Sequence, residues 1–233
     1  VIEDTLFQPG PGVRVKVCGI TREADGIAAL EAGADFLGLV FYPRSPRYLT
    51  PARAAALLTA LRRESPPGRV RPIGVFVNAP ADEVAALAGD LGLAAVQLHG
   101  SEDIAYIRSL GNVPVIHAVR VRSEADLAGL DDFIPVTSAF LFDAYSDSGY
   151  GGTGLSFPHE IALSWIARHP LFIAGGLRPE TVGGVIELLR PFAVDVSSGV
   201  EDAPGIKNAP RIYEFLREAR RAAARLADNA NSG

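Results

Sequence analysis

The chain carries one cysteine and no methionine. That cysteine stands in Lys16-Val17-Cys18-Gly19-Ile20-Thr21, where a short apolar run meets a glycine. A lone thiol there is either inert core filler or the reactive centre. Other chemistry-bearing side chains recur just after apolar runs: Arg44 and Arg47, Asn78, His99, Asp143 and Asp195. Arginine presents a fork of donors that takes both oxygens of a carboxylate at once. His99 has the types of role open to any histidine, base or metal ligand. Its companions Gln97 and Gly100 provide no metal spacing, and His117, His159 and His169 are scattered. A satisfied or substrate-facing imidazole is the better reading. Glycine-rich stretches fall in similar places: Gly151, Gly152, Thr153 and Gly154; Gly175 and Gly176; Ser197, Ser198 and Gly199. Each alone reads as a tight turn. Gathered at one end of a fold, they would let backbone N–H groups approach a phosphate closely.

The elements that must position these residues alternate regularly. Eight strand candidates are Val13 to Val17, Asp35 to Val40, Pro72 to Val77, Ala94 to Leu98, Val113 to Val119, Ala139 to Asp143, Leu171 to Ala174 and Ala193 to Val196. Between them, Thr50 before Pro51, Ser101 before Glu102 and Ser123 before Glu124 suit helix starts, and Pro179 suits a first helical turn. Val182, Ile186 and Leu189 share a helical face, as do Ile212, Phe215, Leu216 and Ala219. Asp228 to Gly233 reads as a frayed end. Eight strand and helix units with no linker-like tract predict a single-domain (β/α)8 barrel spanning residues 1–233, the barrel proper covering about 13–226. An open doubly wound sheet is the competing fold. In a barrel, active sites collect at the C-terminal ends of the strands, and the loops after strands 7 and 8 are the usual phosphate cradle. The parity of strand 1 turns Cys18, Lys16 and Arg14 inward, with Val13, Val15 and Val17 against the helices. A buried Lys16 needs a partner, and Asp195 on the adjoining eighth strand is the candidate.

Composition bounds the function class. The 233 residues are 48% hydrophobic, enough for one large core. A single Cys excludes an intrachain disulfide framework and points to the cytoplasm. No apolar run has the length of a membrane span, and Glu3 and Asp4 do not suit a secretory leader. A net charge of −5 offers no general affinity for nucleic acid. A small metabolite is the expected partner, and no membrane or nucleic acid is.

Together the segments KVCGIT (Lys16 to Thr21), FYPRSPR (Phe41 to Arg47), GVFVN (Gly74 to Asn78), VQLHG (Val96 to Gly100), GGTG (Gly151 to Gly154), AGGL (Ala174 to Leu177) and VDVSSGVE (Val194 to Glu201) resemble the phosphoribosylanthranilate isomerases of tryptophan biosynthesis. The resemblance covers nearly every strand in order. It implies a (β/α)8 barrel, no metal and no organic cofactor, and a phosphosugar substrate; members of the family are monomers or homodimers. The implied reaction is an Amadori rearrangement, with Cys18 as general base and Asp143 as general acid. A cysteine of ordinary pKa, about 8.5, is largely thiol at neutral pH, and an ordinary aspartate, near 3.9, is largely ionised. The site must therefore shift both or let the substrate assist. By the same resemblance Arg47 binds the anthranilate carboxylate, with Arg44 its nearby competitor. Asn78, His99 and Asp195 are expected to face the substrate, and the loops containing Gly152, Thr153, Gly154, Gly175, Gly176, Ser197, Ser198 and Gly199 are expected to hold its phosphate.

Two positions depart from the family pattern: Phe157-Pro158-His159 replaces an FDW-like segment, and Asn208 stands where an aspartate is usual. The loop from Ala144 to Gly154 is a candidate lid that substrate would order. Rival readings are a related phosphate-binding barrel, of indole-glycerol-phosphate synthase or histidine-pathway isomerase type, and a non-catalytic phosphosugar-binding module. The first rival needs a lysine constellation or an aspartate pair, which Cys18 with Asp143 does not match.

Overall fold

The computed structural model describes residues 5–8, 10, 12–143 and 159–231. Eight parallel strands close into a barrel in sequence order: β1 (Arg14–Cys18), β2 (Phe36–Val40), β3 (Pro72–Phe76), β4 (Ala95–Leu98), β5 (Val115–Arg120), β6 (Ala139–Asp143), β7 (Leu171–Ala174) and β8 (Ala193–Val196). All eight coincide with the strands expected from sequence to within two residues at either end. The outer ring holds α1 (Glu23–Glu31), α2 (Pro51–Arg63), α3 (Ala81–Leu91), α4 (Ile104–Ser109), α5 (His159–Ile166), α6 (Pro179–Leu189) and α7 (Ala209–Asn231). A hairpin of β9 (Glu201–Ala203) and β10 (Ile206–Lys207) comes after β8.

Alternation along each strand builds two apolar layers. Phe36, Ile73, Ala95, Ile116, Leu141, Phe172 and Ala193 fill the barrel, while Val15, Val17, Leu37, Val96, Phe140, Ile173 and Val194 pack outward against the helices. Phe7, on a short 3₁₀ turn (Thr5–Phe7), closes the floor against Phe36, Phe172 and Phe192, with ring centroids 6.3, 6.1 and 5.9 Å away. Arg14, inward at that end, donates to the carbonyls of Leu6 and Gln8 and lies 4.6 Å over the Phe192 ring.

Four local expectations change. Ser101-Glu102 does not start a helix: Asp103 caps α4 by accepting from Tyr106 N at 2.7 Å, and the Glu102 carboxylate is drawn inward. Ser123 precedes a 3₁₀ turn (Glu124–Leu127), with Asp126 Oδ2 accepting from Ser123 N at 2.9 Å, and a second 3₁₀ stretch (Leu130–Val136) that contains Pro135 comes next. No α-helix covers the connection between β5 and β6, because the Pro135 ring and the left-handed Gly129 do not fit α-helical continuation. Of the expected frayed end, Asp228 to Asn231 continue α7, and residues 232–233 lie outside the described residues.

Candidate functional site at the C-terminal mouth of the barrel

Cys18 closes β1 with its thiol inward and is 9% exposed. It fits there because the residue opposite on β2 is Gly38; a Cβ at that position would lie 2.6 Å from Sγ. A glycine interrupting an apolar strand is a signal of such close approach, although Gly38 was not singled out from sequence. Below the thiol, Lys16 is fully buried and its Nζ lies 3.1 Å from both carboxylate oxygens of Asp195. The strand parity and register that the sequence implied are therefore present, with Lys16 paired across β1 and β8 to Asp195. Burial alone would lower the Lys16 pKa, but the charges of Asp195 and Cys18 outweigh it and hold the pKa above the ordinary value. Burial pushes the Cys18 thiol up, and the ammonium groups of Lys16 and Lys207 pull against it.

Asp143 ends β6, inward, level with Arg120 on β5 and Ala174 on β7. Burial raises its carboxyl, with Arg120 and Lys16 opposing. One lysine thus bears on both groups: it favours the thiolate a base requires and disfavours the acid form a proton donor requires. His99 reaches the same mouth from the end of β4, its Nε2 3.6 Å from Asp143 Oδ2, beyond hydrogen-bond range. Burial, with the charges of Arg120 and Lys16, lowers its pKa and so favours the neutral ring. Neither His99 Nε2 nor the side-chain amide oxygen Oε1 of the buried Gln97 has a hydrogen-bond partner among the described residues. Gln97 shares the inward-facing parity of Ala95 on β4, and His99 is the residue just past the strand's end.

Arg47 lies across Gly19, whose φ of +78° and missing Cβ leave room for the arginine stem. Its fork is engaged by Glu201, Nε to Oε1 at 2.8 Å and Nη2 to Oε2 at 2.5 Å. Burial pushes the Glu201 carboxyl up, yet hydrogen bonds from Arg47 and Lys207 outweigh it and hold it below the usual range. Arg44 is exposed.

Two expected substrate contacts are committed elsewhere. Asn78, in a left-handed conformation (φ 51°) that asparagine tolerates, accepts through Oδ1 from Ser101 N and Oγ at 2.8 and 3.1 Å. Glu102 clamps the same turn, accepting from Asn78 N at 2.7 Å and Gly100 N at 2.8 Å. Asp195 spends both oxygens on Lys16. The Asp195 pairing follows from strand parity and barrel closure, whereas the loop contacts of Asn78, to a residue 23 positions away, follow from no strand pattern.

The loops after β7 and β8 are fitted to each other. Gly175 and Gly176 take φ values of 94° and 66°, and a Cβ on Gly199 would overlap the carbonyl of Leu177. Ser198–Val200 forms a 3₁₀ turn, and the Gly199 carbonyl is held by Arg211 Nε at 3.0 Å. Asn208, in place of the usual aspartate, still caps α7 by accepting from Arg211 N at 2.9 Å, and its amide adds a bond to Asp202 at 2.7 Å. Gly152, Thr153, Gly154, the candidate lid and Phe157-Pro158 lie outside the described residues.

A closed eight-stranded barrel with a thiol, a carboxyl and an imidazole converging on its C-terminal mouth, beside glycine-lined loops after β7 and β8, defines the class of barrel enzymes that act on phosphorylated small molecules. Comparison with known proteins narrows the class. Residues 15–218 match the family model described as N-(5′-phosphoribosyl)anthranilate isomerase. N-(5′-phosphoribosyl)anthranilate isomerases of Trichlorobacter lovleyi and Geobacter sulfurreducens are 46% and 45% identical over 90% and 89% of this chain, and over 99% and 98% of their own. The crystal structure of the Thermotoga maritima enzyme aligns at 40% identity with a TM-score of 0.79, covering 90% of this chain and 99% of that one. A phosphoribosylanthranilate isomerase solved with reduced 1-(o-carboxyphenylamino)-1-deoxyribulose 5-phosphate aligns at 38% identity and TM-score 0.77, covering 90% and 99%. The chain belongs to the phosphoribosylanthranilate isomerase family.

Proposed function

We infer that this chain carries out the isomerisation for which its family is named, converting N-(5′-phosphoribosyl)anthranilate to 1-(2-carboxyphenylamino)-1-deoxyribulose 5-phosphate, with Cys18 as general base and Asp143 as general acid. Asp143 delivers its proton to the furanose ring oxygen; the C1–O bond breaks and the anthranilate nitrogen forms an iminium with C1. The Cys18 thiolate then removes the C2 proton, giving an enolamine that tautomerises to the ketone. No atom is gained or lost. Gly175, Gly176, Ser197, Ser198 and Gly199 hold the phosphate through backbone donors, joined by Gly152, Thr153 and Gly154. Arg47 takes the benzoate carboxylate, and His99 presents a neutral imidazole to the sugar.

The observation that carries this reading is the placement of a buried thiol and a burial-raised carboxyl on inward positions of one barrel mouth, with the Lys16 charge bearing on both. A non-catalytic module would have no use for that coupling. The test is turnover of freshly generated phosphoribosylanthranilate, read as loss of its fluorescence. Cys18→Ala and Asp143→Asn at matched folding are expected to lower kcat by about 10²-fold or more, the range for loss of a general acid or base. Retained turnover in either variant removes that residue from the chemistry; a wild type that binds the substrate without turning it over favours the module.

A further inference from the structure

We propose that Glu201 on β9, held in place by Lys207 on β10, is the positioning residue that fixes the Arg47 guanidinium to receive the aglycone carboxylate of the substrate on its free edge. The inference rests on the role given to Arg47 under the proposed function. An arginine has two bidentate edges, one formed by Nε and one Nη, the other by both Nη atoms. Glu201 occupies the first, at 2.8 and 2.5 Å, which leaves the Nη1/Nη2 edge presented away from it.

Glu201 has little freedom to do otherwise. Its side chain is 4% exposed and that of Lys207 fully buried. Lys207 Nζ has three acceptors for its three protons: Glu201 Oε1 at 2.8 Å, the Cys18 carbonyl at 2.6 Å and the Ser197 carbonyl at 3.1 Å. Glu201 Oε1 also accepts from Gly205 N at 3.3 Å, and the Gly205 carbonyl accepts from Thr21 Oγ1 at 2.5 Å. The hairpin therefore straps the ends of β1 and β8 together and aims Arg47 from the same atoms. The charges agree with the geometry. Arg47, Glu201 and Lys207 sum to one positive charge, which a single carboxylate neutralises. Without Lys207, an arginine carrying two carboxylates would be left net negative in a largely buried site, an arrangement that costs heavily.

The test compares binding of two reduced ligands by calorimetry: 1-(2-carboxyphenylamino)-1-deoxyribitol 5-phosphate and its 1-phenylamino counterpart, which lacks the carboxylate. Glu201→Gln is expected to weaken the carboxylated ligand about tenfold or more and the other less than twofold, with KM raised and kcat within threefold. In an Arg47→Ala background the same change is expected to add nothing. Equal weakening of both ligands, or additive effects with Arg47→Ala, would overturn the proposal in favour of a general structural role. A wild type that does not discriminate between the ligands would instead overturn the role given to Arg47. An arm needing no variant monitors the Arg47 Nε–H resonance of ¹⁵N-labelled wild type. It is expected to stay protected from exchange when the carboxylated ligand binds, since Glu201 keeps that edge; loss of protection means that substrate displaces Glu201 and the proposal fails.

Discussion

Cys18 and Asp143 have their pKa values moved in the same direction, both upward, and both chiefly by burial. For the base and acid roles proposed above this has a definite kinetic consequence. The active form carries one proton, on Asp143, while the prevailing one-proton form carries it on Cys18. Both forms bear the same total proton count, so the rate tracks the one-proton population and forms a plateau between the two pKa values. Below the Asp143 value both groups are protonated and the thiolate is lost; above the Cys18 value both are ionised and the acid is lost. We therefore expect a bell-shaped profile of kcat/KM whose acid limb lies above the ordinary aspartate range and whose alkaline limb lies above that of an ordinary thiol. A pH-rate series checks it, and an alkaline limb below neutrality would show that the thiol is ionised at rest. The plateau height depends on the gap between the values, so raising Asp143 helps catalysis, and the Lys16 charge helps through Cys18 while opposing it through Asp143.

At the scale of elements, glycines decide where strands and loops approach. Gly38 on β2 makes the space in which the Cys18 thiol sits. Gly38→Ala is expected to force a shift of Cys18 at a cost of about 1–3 kcal/mol in stability, as overpacking does. It should also lower kcat on the order of 10²-fold, because small misplacements of a reacting group cost that much. Gly89, on the exposed side of α3 with no atom within 4 Å of a built Cβ, is the matching control. Gly89→Ala should stabilise by about 0.5–1 kcal/mol through helix propensity and leave kcat unchanged. Chemical denaturation and steady-state kinetics on the two variants separate the cases; a Gly38→Ala enzyme with full kcat would mean that the thiol is free to move. The eight strands were legible because each is a short β-rich run bounded by turn residues. The connection after β5 was not, since Ser123-Glu124 starts a 3₁₀ turn as readily as an α-helix, and only the course of the chain to β6 decides between them.

On the scale of the whole molecule, the aromatic floor around Phe7 and the mouth that carries Cys18 and Asp143 lie at opposite ends of the barrel. The family match begins at residue 15, so Phe7 lies outside it, yet Phe7 is 4% exposed and closes the aromatic floor. Phe7→Ala is expected to cost about 3–5 kcal/mol, the range for deleting a buried aromatic. For a chain of this length that lowers Tm on the order of 10 °C. Because the floor is remote from Cys18 and Asp143, kcat at a temperature where the variant stays folded should be unchanged. Calorimetry and kinetics together test this, and an unaltered Tm would mean that the N-terminal turn does not close the barrel in solution.

The order of the strands, the inward parity of Lys16 and Cys18, the pairing of Lys16 with Asp195 and the clustering of polar residues at one mouth were all determined by the sequence by itself. Each depends on local periodicity or on the closure rule of a barrel, which are written along the chain. What only the tertiary structure decided is which polar atoms are left over for a substrate. Asn78 was spent on Ser101 and one edge of Arg47 on Glu201, while His99 and Gln97 kept side-chain atoms without partners among the described residues. A hydrogen bond between residues 154 positions apart, such as Arg47 to Glu201, leaves no periodic trace in the chain. It depends on distances that exist only after the barrel has closed and burial has made each unpaired donor or acceptor costly.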